Sequence, residues 1–112
     1  MKHLYRARAI GGTCVPWIKV RVKHIPPAKG KKRSPLGRAH IGKNHIDISD
    51  EMVDWDDNMI KHVVFHELGH EYYEVPHIKD KKNLMYYQYH KMSNSKIESD
   101  FKKIAKNKTC KR

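Results

Sequence analysis

A small α+β domain is what this sequence predicts, with strand-like stretches in its first half and helical stretches in its second. Two runs carry that expectation. Between Ile18 and His24 the apolar Ile18, Val20 and Val22 alternate with Lys19, Arg21 and Lys23, the period of a strand with one buried face. Between Asn58 and Tyr73, Met59, Val63, His66 and His70 follow one line of a helix and Ile60, Val64, Leu68 and Tyr72 the next. That stripe is wide enough to bury the helix across the middle of the domain. At 112 residues there is room for a single core. No repeat, low-complexity segment or shift in composition divides the chain.

Taken in order, His3 to Ile10 is mixed and β-tolerant and reads as a short strand, closed by a turn at Gly11-Gly12. The strand within Val15 to Ile25 ends at Pro26-Pro27, and residues 28–37 form a basic loop punctuated by Gly and Pro. Arg38 to Ile41 and His45 to Ile48 are two short strands, a hairpin or one bent strand, joined at Gly42-Lys43-Asn44. The acidic run DISDEMVDWDD, residues 47–57, then stands where side chains can cap the long helix and favour its positive end. Val75-Pro76 stops that helix, and a loop from His77 to Asn83 leads into Leu84-Met85-Tyr86-Tyr87. Ser93 or Ser95 caps a last helix with Ile97, Phe101, Ile104 and Ala105 at helical spacing. The single domain thus spans 1–112, with its core in about 15–105 and a basic, fraying tail over 106–112.

The chain carries 24 Lys and Arg against 12 Asp and Glu, a formal charge of +12. An anionic partner would be drawn to such a surface. Much of the charge falls in Lys29 to Arg33 and Lys102 to Arg112, without interleaved aromatics or a nucleic-acid motif, so a solvated surface is the favoured reading. Cys14 and Cys110 form no CxxC pair, and a disulfide joining the ends is not expected. The start has no apolar core of a signal peptide, and no run approaches the roughly 20 apolar residues of a membrane span. The expectation is a cytoplasmic, monomeric protein with no membrane association and both thiols reduced.

The chemistry is concentrated in His66-Glu67-Leu68-Gly69-His70, an HExxH motif on the long helix. Residues four apart on a helix lie on one face, so His66 and His70 can aim two imidazoles at one ion. Glu67 points about 100° away, placed to miss the metal and reach a water bound to it. Zinc suits such a pair, and a catalytic zinc takes three protein ligands and leaves a fourth position for water. His77, just past the helix break, is the leading third ligand; Glu74, continuing the four-residue series from His70, and the more distant Asp80 are the alternatives. A zinc there would bring the pKa of its water toward ~7 and polarise a carbonyl, with Glu67 as the general base.

The series HELGH, Pro76-His77 and Leu84-Met85-Tyr86 resembles the catalytic core of the metzincin metalloproteases, closest to the matrixin branch, whose pattern is HExxHxxGxxH with a downstream Met-turn. Ile18 to Val22, Gly37 to Gly42 and Ile46 to Ile48 are similar to that family's sheet strands, and the segment from Ser93 to its closing helix. The resemblance covers Val15 to Ala105. It implies a minimal zincin domain, a small twisted mixed sheet packed on the HExxH helix, and zinc-dependent endopeptidase activity with one catalytic ion. His66, His70 and His77 would be the ligands, Met85 a hydrophobic floor below the metal, and Tyr87 an oxyanion stabiliser. A peptide substrate would add as an extended strand near Arg38 to Ile41. Two departures stand out. The third histidine falls seven residues after His70 where the family has six, with Tyr73 at the glycine position, and the helix usual between the first two strands is missing.

Two other functions remain open on the sequence. One is a metal-dependent ribonuclease of related fold, which +12 suits and the glutamate inside HExxH disfavours. The other is a non-catalytic basic, nucleic-acid-binding protein stabilised by zinc, which needs a fourth ligand such as His40, His62, Asp80 or His90.

Overall fold

A computed structural model describes residues 2–15, 18–27, 29–30, 36–39, 45–52 and 55–107. Their order is α1 (Lys2–Gly11), β1 (Lys19–Lys23), β2 (Gly37–Ala39), β3 (His45–Ser49), α2 (Asp57–Tyr73) and α3 (Asn94–Asn107), with single 3-10 turns at Gly12–Cys14 and Asp50–Met52. The α+β class is as expected.

The first element corrects the expectation of a strand over His3 to Ile10. Lys, Leu, Arg and Ala, all good helix formers, dominate Lys2–Gly11, and His3, Leu4 and Ala7 fall on the one face that is buried. That face packs on α2 and α3. Polar contacts fasten it: Lys2 pairs with the Asp57 carboxylate at the start of α2 at 3.0 Å, the His3 ring donates from Nε2 to the same carboxylate at 3.0 Å, and Arg6 lies 2.6 Å from Glu98 on α3. Lys61, buried on α2, also pairs with Glu98 and donates to Asn94. Arg6 above all, then Lys61, hold the Glu98 carboxyl down at about 2 against the opposing effect of burial.

The sheet runs in the order β1-β3-β2, with β1 parallel and β2 antiparallel to β3. In the central β3, Ile46 to Ser49 are buried on both faces. β1 holds the expected strand, but Val22 is 55% exposed, so its apolar face is only partly covered. Its edge position explains this. Arg21 crosses to Asp47 on β3 at 2.8 Å. The other edge, β2, lies against α2 so closely that a Cβ on Gly37 would stand 2.6 Å from Val63 Cγ1. The expected continuation of this strand through His40 and Ile41, and the link at Gly42-Lys43-Asn44, fall outside the described residues.

Helix α2 matches its expected span within a residue. Asp56 caps it by accepting from the Asn58 amide at 3.1 Å, and Asp57 adds negative charge to the first turn. Burial extends beyond the apolar stripe to Lys61, His62, His66, Glu67 and Glu71, so the helix is surrounded on nearly all sides. Ser93 starts α3 by accepting from the Lys96 amide, and Ile97, Phe101 and Ile104 enter the core as expected. Phe101 meets Phe65 of α2 with ring centroids 4.9 Å apart.

Cys14 is disulfide-bonded, which corrects the expectation of reduced thiols. It is buried, with Sγ 3.6 Å from the Tyr72 carbonyl oxygen at the end of α2. The chain's other cysteine, Cys110, lies outside the described residues. Helix α1, near one end of the chain, packs on α3, near the other. No helix among the described residues is long and apolar enough to cross a membrane.

Candidate metal centre

His66 and His70 project from one face of α2, and His77 returns to them from the loop beyond it. One ring nitrogen from each lies within 4.8 Å of the other two. Among the described residues no other His, Cys, Asp or Glu joins this group. Glu74 instead ends the helix as an exposed residue. Exposed Asp80 uses its carboxylate to accept from the Lys82 amide at 3.0 Å. His62 turns its ring nitrogens toward the carbonyls of His90 and Leu84, away from this group, and His40 lies outside the described residues.

The return of His77 depends on how the helix stops. Glu74 adopts a left-handed conformation, φ 50° and ψ 37°, the one non-glycine residue with positive φ among those described. The amides of Glu74 and Val75 both reach back to the Gly69 carbonyl, the latter at 3.2 Å. The chain thereby leaves the helix one residue after Tyr73, and His77 follows three residues later.

Backbone carbonyls fix the two helical imidazoles. His66 Nδ1 donates to the Leu84 carbonyl at 2.8 Å and His70 Nδ1 to the Val75 carbonyl at 2.7 Å. A carbonyl oxygen only accepts, so each proton sits on Nδ1 and each Nε2 presents a lone pair. Those two Nε2 atoms stand 3.0 Å apart. Facing lone pairs repel, and a cation between them relieves the repulsion. Two nitrogens on a tetrahedral zinc at ~2.05 Å would stand about 3.3 Å apart, so the pair is nearly set for one. The His66 pKa is lowered to about 3, chiefly by burial, and His70 is lowered for the same reason. Both are neutral at pH 7, as ligands must be. Exposure rises from His66 through His70 to His77, so the cluster opens to solvent at the His77 end.

The segment after the loop packs against α2. Asn83 turns the chain, accepting the Met85 amide through its side chain at 2.8 Å and the Tyr86 amide through its carbonyl at 3.2 Å. Met85 is fully buried against α2, where a Cβ on Gly69 would stand 2.9 Å from its Sδ. The Met85 carbonyl accepts from the Ile78 amide, tying the His77 loop to this turn. The Leu84 amide is anchored to Asp100 of α3 at 3.0 Å.

Glu67 is 5% exposed, and its Oε1 accepts from the Tyr89 hydroxyl at 2.8 Å. Burial and the adjacent carboxylate push the Tyr89 hydroxyl well above the usual tyrosine range. Tyr89 went unremarked in the sequence because it lies outside the motif spacing. Tyr87, the tyrosine singled out there, is 58% exposed at the open end, its ring centroid 6.5 Å from that of His77. Comparison with protein-family models, curated proteins and solved structures finds no match to this chain.

Proposed function

We propose that the chain is a zinc-dependent endopeptidase of metzincin type, with His66, His70 and His77 as the ligands and Glu67 as the general base. The observation that carries this reading is the pair of Nε2 lone pairs converging beside a restrained, buried glutamate. Bound zinc would supply a Lewis acid that acidifies water and polarises the scissile carbonyl. Glu67 accepts the proton of the attacking water and returns it to the leaving amine, a shuttle of about 10²- to 10⁴-fold in rate. Three candidate ligands among the described residues, where a structural zinc takes four, favour catalysis over a purely structural ion.

The odd spacing also fits. In HExxHxxGxxH the third histidine follows the turn glycine by three residues; here His77 follows left-handed Glu74 by three. The helix is one residue longer and the exit is displaced with it. Met85 takes the part of the Met-turn methionine, and Tyr87, at the open end, that of an oxyanion donor. An extended peptide would add to the edge of β2.

The test has two parts. The protein should bind one zinc per chain and cleave casein, with cleavage abolished by chelator and by Glu67→Gln while the variant retains zinc. Undiminished cleavage by Glu67→Gln would end this mechanism. The net charge of +12 keeps RNA as the competing substrate, and a parallel incubation with RNA, with and without chelator, separates the two.

A further inference from the structure

We propose that Tyr89 is the positioning residue of the general base, holding the Glu67 carboxylate in its working orientation through the 2.8 Å bond from its hydroxyl to Oε1. The inference rests on the peptidase reading above. A glutamate beside the metal ligands must present one oxygen to a water and keep it there, yet the side chain has three rotatable bonds. Two neighbours restrict it. From the sheet, β2 approaches so closely that a Cβ on Gly37 would stand 3.1 Å from Glu67 Cγ and 3.3 Å from Oε1. From the segment beyond the methionine turn, the Tyr89 hydroxyl donates to that same Oε1, a carboxylate oxygen that accepts.

Tyr89 is itself held in place. Its ring meets His62 edge-on with centroids 5.3 Å apart and His66 at 5.0 Å. His62 in turn is held by the His90 carbonyl, which lies 2.9 Å from its Nδ1. The phenol therefore stands on the same histidine face that carries the first ligand, and the orientations of the base and of His66 are set by one packed group. A hydrogen bond to an ionised acceptor is about twice as strong as a neutral one, which suits it to this task. Tyr89 does not need to touch substrate; it acts through Glu67.

The test is a double-mutant cycle on the zinc-loaded protein with casein and with a peptide derived from its cleavage site. Tyr89→Phe keeps the ring on His62 and His66 and removes only the donor. It should retain one zinc per chain, leave KM within about twofold and lower kcat about 10- to 100-fold, the range for loss of a partner that orients a ligand or base. In the Glu67→Gln background the same change should have no further effect on the residual rate, because its target is gone. In metal-free protein the Tm shifts of the two single variants should be non-additive in the double, reporting the bond without any activity. An unchanged kcat in Tyr89→Phe, or an equal loss in both backgrounds, overturns the inference while leaving the peptidase reading intact. A parent that cleaves nothing, or a fully active Glu67→Gln, overturns both.

Discussion

Acidification should unfold the metal-free protein through His66. Folded His66 has a pKa lowered to about 3 from 6.5, chiefly by burial, and it is 2% exposed, so solvent screening gives little relief. The unfolded chain accepts a proton at this position below about pH 6.5 while the folded chain refuses it. The stability contribution is therefore complete above that pH and is lost as pH falls toward 3. Between pH 7 and pH 5 the unfolded state gains RT ln[(1 + 10^1.5)/(1 + 10^−0.5)], about 2 kcal/mol, with almost no offset from the folded state. His62, His70 and His3 are lowered in the same direction by burial and add to the loss. Glu98, held down at about 2, releases its contribution only below its unfolded value of 4.5, so the window isolates the histidines. Urea melts followed by circular dichroism at the two pH values should show a midpoint lower by at least ~1 M at pH 5, taking a slope of about 1.5 kcal/mol per molar. Equal midpoints would refute the idea that α2 buries neutral imidazoles.

Three further outcomes follow from the same geometry. His77→Ala, at an exposed position, should leave metal-free stability within about 0.5 kcal/mol yet weaken zinc by at least ~100-fold, read by competition with a chromogenic chelator. Gly37→Ala forces a Cβ to 2.6 Å from Val63 and into Glu67, so it should cost about 1 to 3 kcal/mol in urea melts and depress casein cleavage as well. Glu74→Gly removes the strain of a left-handed non-glycine residue and should shift stability between neutral and about +1 kcal/mol, whereas β-branched Glu74→Val should lose at least ~1 kcal/mol.

Helices α2 and α3 were legible in the sequence because each combines a cap residue with an apolar period, Asp56 before the run of Val63, Val64 and Leu68, and Ser93 before Ile97, Phe101 and Ile104. The three histidines were legible because two share a helical spacing and the third follows a break. α1 was not. Its apolar face is only Leu4, Ala7 and a partly buried Ile10, and its hold on the domain comes from ion pairs to Asp57 and Glu98, partners more than 50 residues away. Nothing local announces such partners. Tyr89 escaped for a related reason: its bond to Glu67 spans 22 residues and depends on the path of an irregular segment. The sequence marked the trouble at Tyr73 but not its resolution, because a left-handed glutamate is a conformation that local propensity argues against.

One residue with no reactive group of its own, Leu84, links α3 directly to a histidine of the cluster. Its amide is held by Asp100 of α3, a carboxylate also 2.9 Å from Lys96, and its carbonyl accepts from His66. If the cluster takes zinc as proposed, linkage through Leu84 would make metal uptake protect α3 from opening, and a steadier α3 would favour uptake. Slowed amide exchange along Asn94–Asn107 on zinc addition would then be a distant gauge of occupancy, and weakened metal variants are to be sought at Asp100 as much as among the histidines.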